Sequence, residues 1–430
     1  MRKNFLWILP FVILSCSRLQ AQDIVGDWQG ILESGKGYRI VIRIAKNDSG
    51  GWKAELYSID FGPDGVPVSS LSLHEGTLKF SIDSQGGAYE GQVGVDGSAI
   101  KGTWTQGKTS TPLNLRRATK ETAWQLDVSP HTVKFIPVFD NVKLEVLDWG
   151  GSGRSLVLLA GLGNTAHIFD NLAPKLTSSY HVYGITRRGY GASSAPALAS
   201  NNYSADRLGD DVLEVFEALK LNRPVLVGHS IAGEELSSIA TRHPEKVAGL
   251  IYLDAAYSYA FYDRGQGDMD LDALELKKRL DQLSTPGASS DDKLVLIQSL
   301  QQTTLPQFEK DLQAQEKELR TMHFPSYANS VSPVDAAILD GQEKYTDIRV
   351  PILAIFAVPH DLGSGFQNDP ATRAALAASD LTRTTAQANA LEKAIPSARV
   401  VRLPNASHFV FISNEADVLR EINSFISSLP

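Results

Sequence analysis

Two hydrophobic periods run along this chain and divide it. From residue 23 to 118, apolar and polar positions alternate. Tyr38, Ile40, Ile42 and Ile44 interleave with Arg39, Val41 and Arg43, and Leu78, Phe80 and Ile82 with Lys79 and Ser81. A period of two marks half-buried strands. Gly50-Gly51, Asp64-Gly65, Gly86-Gly87 and Asp96-Gly97 punctuate them, and such pairs reach the positive φ that tight turns require. No helical period occurs in this stretch. It predicts a small antiparallel sandwich or barrel, with Trp28, Trp52 and Trp104 as core aromatics rather than a carbohydrate- or lipid-binding surface.

Residues 119–140, with Pro130 and Pro137, read as a connector. Beyond it, short apolar runs alternate with helical stretches. The runs are Leu144 to Leu147, Ser155 to Leu159, Val182 to Ile185, Val225 to Val227, Leu250 to Leu253, Ile352 to Phe356 and Val400 to Leu403. Continuous apolar strands are those covered on both faces. Between them Leu208 to Leu219 sets Val212, Val215, Phe216 and Leu219 on one helical face. The expected fold is therefore α/β: a mostly parallel sheet with helices on both faces, residues 141–256 and 341–430. The interval 257–340 is too long for one crossover. Its helical repeats, Leu276, Leu280 and Leu283 and then Phe308, Leu312 and Leu319 after Pro306, predict a helical cap over the sheet's carboxyl edge.

Composition narrows the class. A chain of 430 residues accommodates two or three domains, and 43% apolar with 21% charged residues is ordinary globular usage. The formal charge of −8 gives nothing to recruit nucleic acid or an anionic membrane. Residues 1–21 read as an export signal: basic Arg2 and Lys3, an apolar run Phe5 to Leu14 too short to span a bilayer, and Ala21 before the cut. The expected location is periplasmic or secreted, with no transmembrane span in the mature chain. The alternative is a lipid anchor at Cys16, the only cysteine, although Leu14 is bulky for a lipoprotein box.

Three residues at strand ends carry chemistry. Gly228-His229-Ser230-Ile231-Ala232-Gly233 directly follows a buried strand and opens a helix. That is a nucleophile elbow, whose tight turn needs small neighbours around an exposed serine. Ala232 stands where glycine is usual, partly compensated by Gly233. His408 follows the last strand and is the candidate base, because a hydroxyl attacks only once an imidazole takes its proton. His229 is too close to turn onto Ser230 and should pack under the elbow; His360 and His323 read as surface or site-lining. The orienting carboxylate is Asp361 after the penultimate strand, with Asp254 one strand earlier as the alternative acid. The oxyanion donors are the backbone amides of Ile231 and of Leu162, in the loop Ala160-Gly161-Leu162-Gly163-Asn164. No histidine pair has metal-ligand spacing, and the glycine string lacks a dinucleotide fingerprint, so no metal or cofactor is expected.

With these motifs, residues 141–430 resemble an α/β-hydrolase with a helical cap, near the esterase, iminopeptidase and perhydrolase branches. Arg187-Arg188-Gly189-Tyr190-Gly191-Ala192-Ser193 is similar to that family's Arg-Gly-x-Gly-x-Ser loop, with Thr186 in place of a frequent aspartate. The β-rich segment resembles modules found ahead of hydrolase domains in some exported bacterial enzymes. A serine at the elbow disfavours dehalogenase and epoxide-hydrolase chemistry, which use aspartate there. The resemblance implies acyl transfer on a small-molecule ester. The alternatives are an amidase or iminopeptidase with the same triad, reading a substrate amine through Asp268, Asp270 or Asp272, or a ligand-binding protein with an idle hydrolase domain.

Overall fold

The computed structural model describes residues 23–32, 38–47, 50–58, 65–83, 86–107, 109–124, 129–287, 289–321, 332–363 and 369–430. The export-signal expectation, Cys16 and His323 fall outside these residues.

The alternating N-terminal segment forms one antiparallel sheet of ten strands, from Gly26–Leu32 to Leu115–Arg117. Its two ends meet in one stretch of chain. Val66–Pro67 pairs with Trp52–Ser58, and Ser70–His74, just beyond, pairs with Thr77–Ile82. The sheet thus closes on itself as a barrel, which leaves no long unpaired edge. Gly50, Gly86 and Gly97 take positive φ at its turns. Trp28, Phe80, Tyr89 and Trp104 are buried inside, and Trp52 packs against that core half-buried.

The second sheet has eight strands: β1 (Thr132–Pro137), β2 (Lys143–Gly150), β3 (Ser155–Leu159), β4 (His181–Ile185), β5 (Val225–His229), β6 (Gly249–Leu253), β7 (Ile352–Ala357) and β8 (Arg399–Leu403). Their order is β1-β2-β4-β3-β5-β6-β7-β8. The pairs β1·β2 and β2·β4 are antiparallel and the rest parallel. One expectation needs correction. Residues 119–140 are not merely a connector, because β1 within them is the sheet's edge strand. Its exposed Val133 and Phe135 hide it from a search for apolar runs.

Both faces of the sheet are covered. On one face Val212, Val215 and Phe216 of helix α1 (Ala205–Leu219) and Leu236 and Ile239 of α2 (Gly233–Arg242) pack on β-strand side chains. On the other, Phe169, Phe411, Val418, Ile422 and Phe425 do so. The long break between β6 and β7 contains α3 (Met269–Ser284), α4 (Ser290–Ser299), α5 (Leu305–Thr321) and α6 (Pro333–Asp340). Their apolar faces are less buried than their periodicity predicts: Leu280, Leu312 and Leu319 are exposed. Then α7 (Pro370–Ala394) and α8 (Glu415–Ser428) flank β8. Among the described residues no helix is long and apolar enough to cross a membrane.

Candidate active site

Six strand ends converge on one edge of the sheet. In parallel α/β sheets the carboxyl ends of strands are where ligands bind. Here they deliver the Gly161-Leu162 loop after β3, Arg187 after β4, Ser230 after β5, Asp254 after β6, His360 after β7 and His408 after β8.

The elbow is built by sterics. Ser230 sits at φ 53°, and Asp254 at the end of the next strand at φ 48°. Non-glycine residues seldom adopt this region, and its persistence marks a turn held by its surroundings. A methyl on Gly228 would lie 2.8 Å from Leu236 Cδ1, and one on Gly233 would lie 2.1 Å from the Ala255 carbonyl oxygen. Gly233 is therefore the position that only glycine fills, and Ala232 is tolerated beside it. A methyl on Gly161 would lie 3.1 Å from Ser230 Cβ, so the loop after β3 lies against the elbow. Leu162 and Ile231 share one small apolar cluster with Tyr190, Tyr203 and Tyr259.

The loop that carries Leu162 is supported by Arg187. Its guanidinium donates to the Ala160 carbonyl at 2.9 Å, to the Gly161 carbonyl at 3.4 Å and to Glu235 of α2 at 2.6 Å. Burial works against this cation, but Glu235 outweighs it and raises its pKa. One buried ion pair thus ties the candidate oxyanion loop to the elbow helix. Sequence reading matched this arginine to a motif without seeing that role. Arg188 beside it makes two bonds of 2.6 Å to Asp211.

The acid is the main correction. Asp361 does not meet His408; its side chain is half-exposed, accepts from the Gly363 amide at 2.9 Å and lies 4.0 Å from Arg373. Asp254, the alternative acid, takes the place beside His408 that was expected of Asp361. Its Oδ2 is 2.7 Å from His408 Nδ1, and its side chain is wholly buried. Asp254 directly follows a continuous apolar strand, as Ser230 does. Asp361 lies one residue past the position that faces inward, which His360 occupies. Burial would raise the Asp254 pKa, but hydrogen bonds from His360 and His408 hold it well below the usual carboxylate range.

His229 packs under the elbow as expected. Burial lowers its pKa to about 3, so it is neutral near pH 7. Its Nε2 is 3.1 Å from the His408 carbonyl, and the two rings are 4.7 Å apart. The elbow strand thereby holds the loop that presents His408. The His408 side chain remains 40% exposed.

Of the cap aspartates Asp268, Asp270 and Asp272, the first and last are already engaged, and Asp270 is exposed. Asp268 caps α3 and accepts from Ser258, and Asp272 accepts from Tyr262 and Lys344. A cavity of about 720 Å³ lies within the cap region among Tyr262, Leu271, Thr304, Gln307, Gln342 and Lys344, and none of Ser230, Asp254 and His408 lines it.

Sequence spacing gave no metal-ligand pair, yet the fold gathers two sets of such side chains. Donor atoms of Asp254, His360 and His408 lie within 4.8 Å of one another, as do those of His131, His167 and Asp170. In the first set each imidazole is hydrogen-bonded directly to the carboxylate at 2.7 Å. In the second, the Asp170 oxygens each lie 3.1 Å from a different imidazole, and His167 is 3.6 Å from Glu145. The first is accounted for as a hydrogen-bonded network.

Residues 154–415, more than half of the chain, match the profile of the family described as alpha/beta hydrolase fold. Over 116 residues the chain is 36% identical to a fluoroacetate dehalogenase of a Burkholderia species, covering 26% of this chain and 38% of that protein. It is 32% identical over 109 residues to a 2-hydroxymuconate semialdehyde hydrolase of Pseudomonas sp. strain CF600, covering 25% and 38%. These matches span less than half the length of the relatives. Among solved structures, an esterase from Exiguobacterium antarcticum superposes with a TM-score of 0.44 at 19% identity, over 69% of this chain and all of that one.

Proposed function

This chain belongs to the α/β hydrolase fold family, and from that premise we propose that it is a serine hydrolase cleaving a small-molecule ester through an acyl-enzyme on Ser230. The observation that carries the reading is the 2.7 Å bond between Asp254 and His408 at the strand ends flanking the elbow. A carboxylate on Nδ1 leaves Nε2 as the basic nitrogen and stabilises the imidazolium that forms. Ser230 attacks the carbonyl carbon as His408 takes its proton. The amides of Ile231 and Leu162 receive the oxyanion, a contribution typically worth about a hundredfold or more in rate per donor. His408 then returns the proton to the leaving alcohol, and water repeats the sequence on the acyl-enzyme. The elbow residue here is serine, which separates this reading from the dehalogenation named for one relative. Ester is preferred to amide because Asp268 and Asp272 are consumed by contacts within the cap, which leaves exposed Asp270 alone to read a substrate amine. The test is a panel of chromogenic esters and aminoacyl amides together with fluorophosphonate labelling. Ester turnover with labelling at Ser230 supports the reading; labelling at another serine overturns it.

A further inference from the structure

A buried carboxylate beside a histidine that must switch its charge raises an accounting problem. When His408 is neutral, ready to accept a proton, Asp254 is an anion with no exposure to water. An ion in that setting needs a partner that stays charged. Tyr257 donates to Oδ1 at 2.9 Å, and so does the Ala357 amide at 2.9 Å, but neither carries charge. The second imidazole does. His360 Nε2 lies 2.7 Å from Oδ2, the same oxygen that meets His408.

His360 is itself held from behind. Its Nδ1 is 3.0 Å from both oxygens of Asp380 on α7, and its backbone amide donates to Asp380 at 2.8 Å. A bridge to Ala406 ties its loop to the one that presents His408. Four chain segments are thus joined in one line: Asp380, His360, Asp254, His408.

We propose that His360 is a positioning residue, a permanently charged imidazole that fixes the Asp254 carboxylate and supplies its counter-charge while His408 cycles. This rests on the reading of Ser230, His408 and Asp254 as a triad. Burial works against an imidazolium at this position, but the bonds to Asp254 and Asp380 outweigh it and raise the His360 pKa to about 9. It therefore keeps its proton through the range in which a triad works. The other groups facing this line do not replace it. Tyr257 lies 3.1 Å from His360 Nε2 with its phenol raised by burial, His229 is held neutral, and Arg383 reaches only Asp380, at 3.1 Å. Sharing Oδ2 between two imidazoles also makes Asp254 a weaker partner for His408 than a lone carboxylate would be.

The experiment uses the full chain, with the rate of fluorophosphonate labelling and of p-nitrophenyl acetate turnover followed from pH 5 to 9. His360→Gln should slow both by about tenfold to a hundredfold and move the acid limb of the profile upward by about one pH unit, since removing a like charge at this range shifts a titration by that order. Asp380→Asn should move the limb the same way by less. In an Asp254→Asn background, His360→Gln should cost less than about threefold, because residues acting as a unit are not additive. Wild-type rates and limb in His360→Gln overturn the proposal. So does an equal loss in both backgrounds with an unmoved limb, which is the mark of a packing role. Should His360→Gln fail to fold, Asp380→Asn decides: an unmoved limb overturns the proposal. The underlying reading fails separately, if Ser230→Ala keeps labelling and turnover.

Discussion

Among the described residues there are two clusters of imidazoles and carboxylates, and one residue's exposure sets them apart. In one, His131, His167, Asp170 and Glu145 are all buried, with side-chain exposures of 1, 3, 11 and 8%. In the other, Asp254, His360 and Asp380 are equally enclosed, but His408 is 40% exposed. The pairings are alike in chemistry, but longer in the first, 3.1–3.6 Å against 2.7–3.0 Å in the second. Both carry a histidine whose pKa is raised to about 9, against the effect of burial, by hydrogen bonds to two carboxylates: Asp170 and Glu145 for His167, Asp254 and Asp380 for His360. What separates a site from a strut is that one imidazole reaches the surface beside a strained serine. A perturbed histidine inside a closed network has nothing to give its proton to.

Substitutions should sort along that line. Ser230→Ala is expected to cost about ten-thousandfold or more in turnover and to abolish fluorophosphonate labelling; His408→Ala should be nearly as severe, and the double variant little worse. Steady-state assays on the three variants check it, and independent, multiplicative losses would remove His408 as the base.

Asp254→Asn should lower kcat by about a hundredfold to ten-thousandfold, since an amide holds the imidazole in the wrong tautomer. The melting temperature measured alongside separates lost chemistry from lost fold.

In the closed cluster the effect should fall on stability instead. His167→Gln breaks a buried pair and should lower the melting temperature by about 5–10 °C with kcat unchanged. A loss of turnover without a loss of stability would make this cluster part of the site.

That contribution also has a pH window. His167 has a raised pKa, so its stabilisation is fully present below 6.5 and lost as pH rises through about 9. Glu145 and Asp170 are lowered, burial being outweighed by their histidine partners. Their stabilisation is present above the ordinary carboxylate range and lost as pH falls below it. The difference in melting temperature between the parent and His167→Gln should peak near pH 5–6 and shrink towards pH 9. A difference that grows with pH would contradict the assignment of charge.

The smallest effect is expected at Asp361→Asn, within about twofold in kcat, because that side chain is half-exposed and touches only its own turn and Arg373. A large loss would restore Asp361 as the acid and move the site's boundary.

Much of this was legible in one dimension. Alternation with Gly-containing turns determined the antiparallel N-terminal sheet, because a strand shows its two faces in a period of two. Apolar runs bounded by helices determined the parallel sheet, and a serine with small neighbours directly after such a run determined the elbow. These are local facts, set by residues a few positions apart. What only the tertiary structure decided involves distant partners. Barrel closure depends on two ends of a sheet meeting in residues 66–74. The edge strand β1 has no continuous apolar run and is not seen until it pairs with β2. The choice of Asp254 over Asp361 was invisible, since both follow buried strands and both precede His408 in the chain. It turned on which carboxylate comes within 2.7 Å of an imidazole 154 residues away. Hydrogen-bond energy depends on distance and angle in space, and sequence separation carries neither.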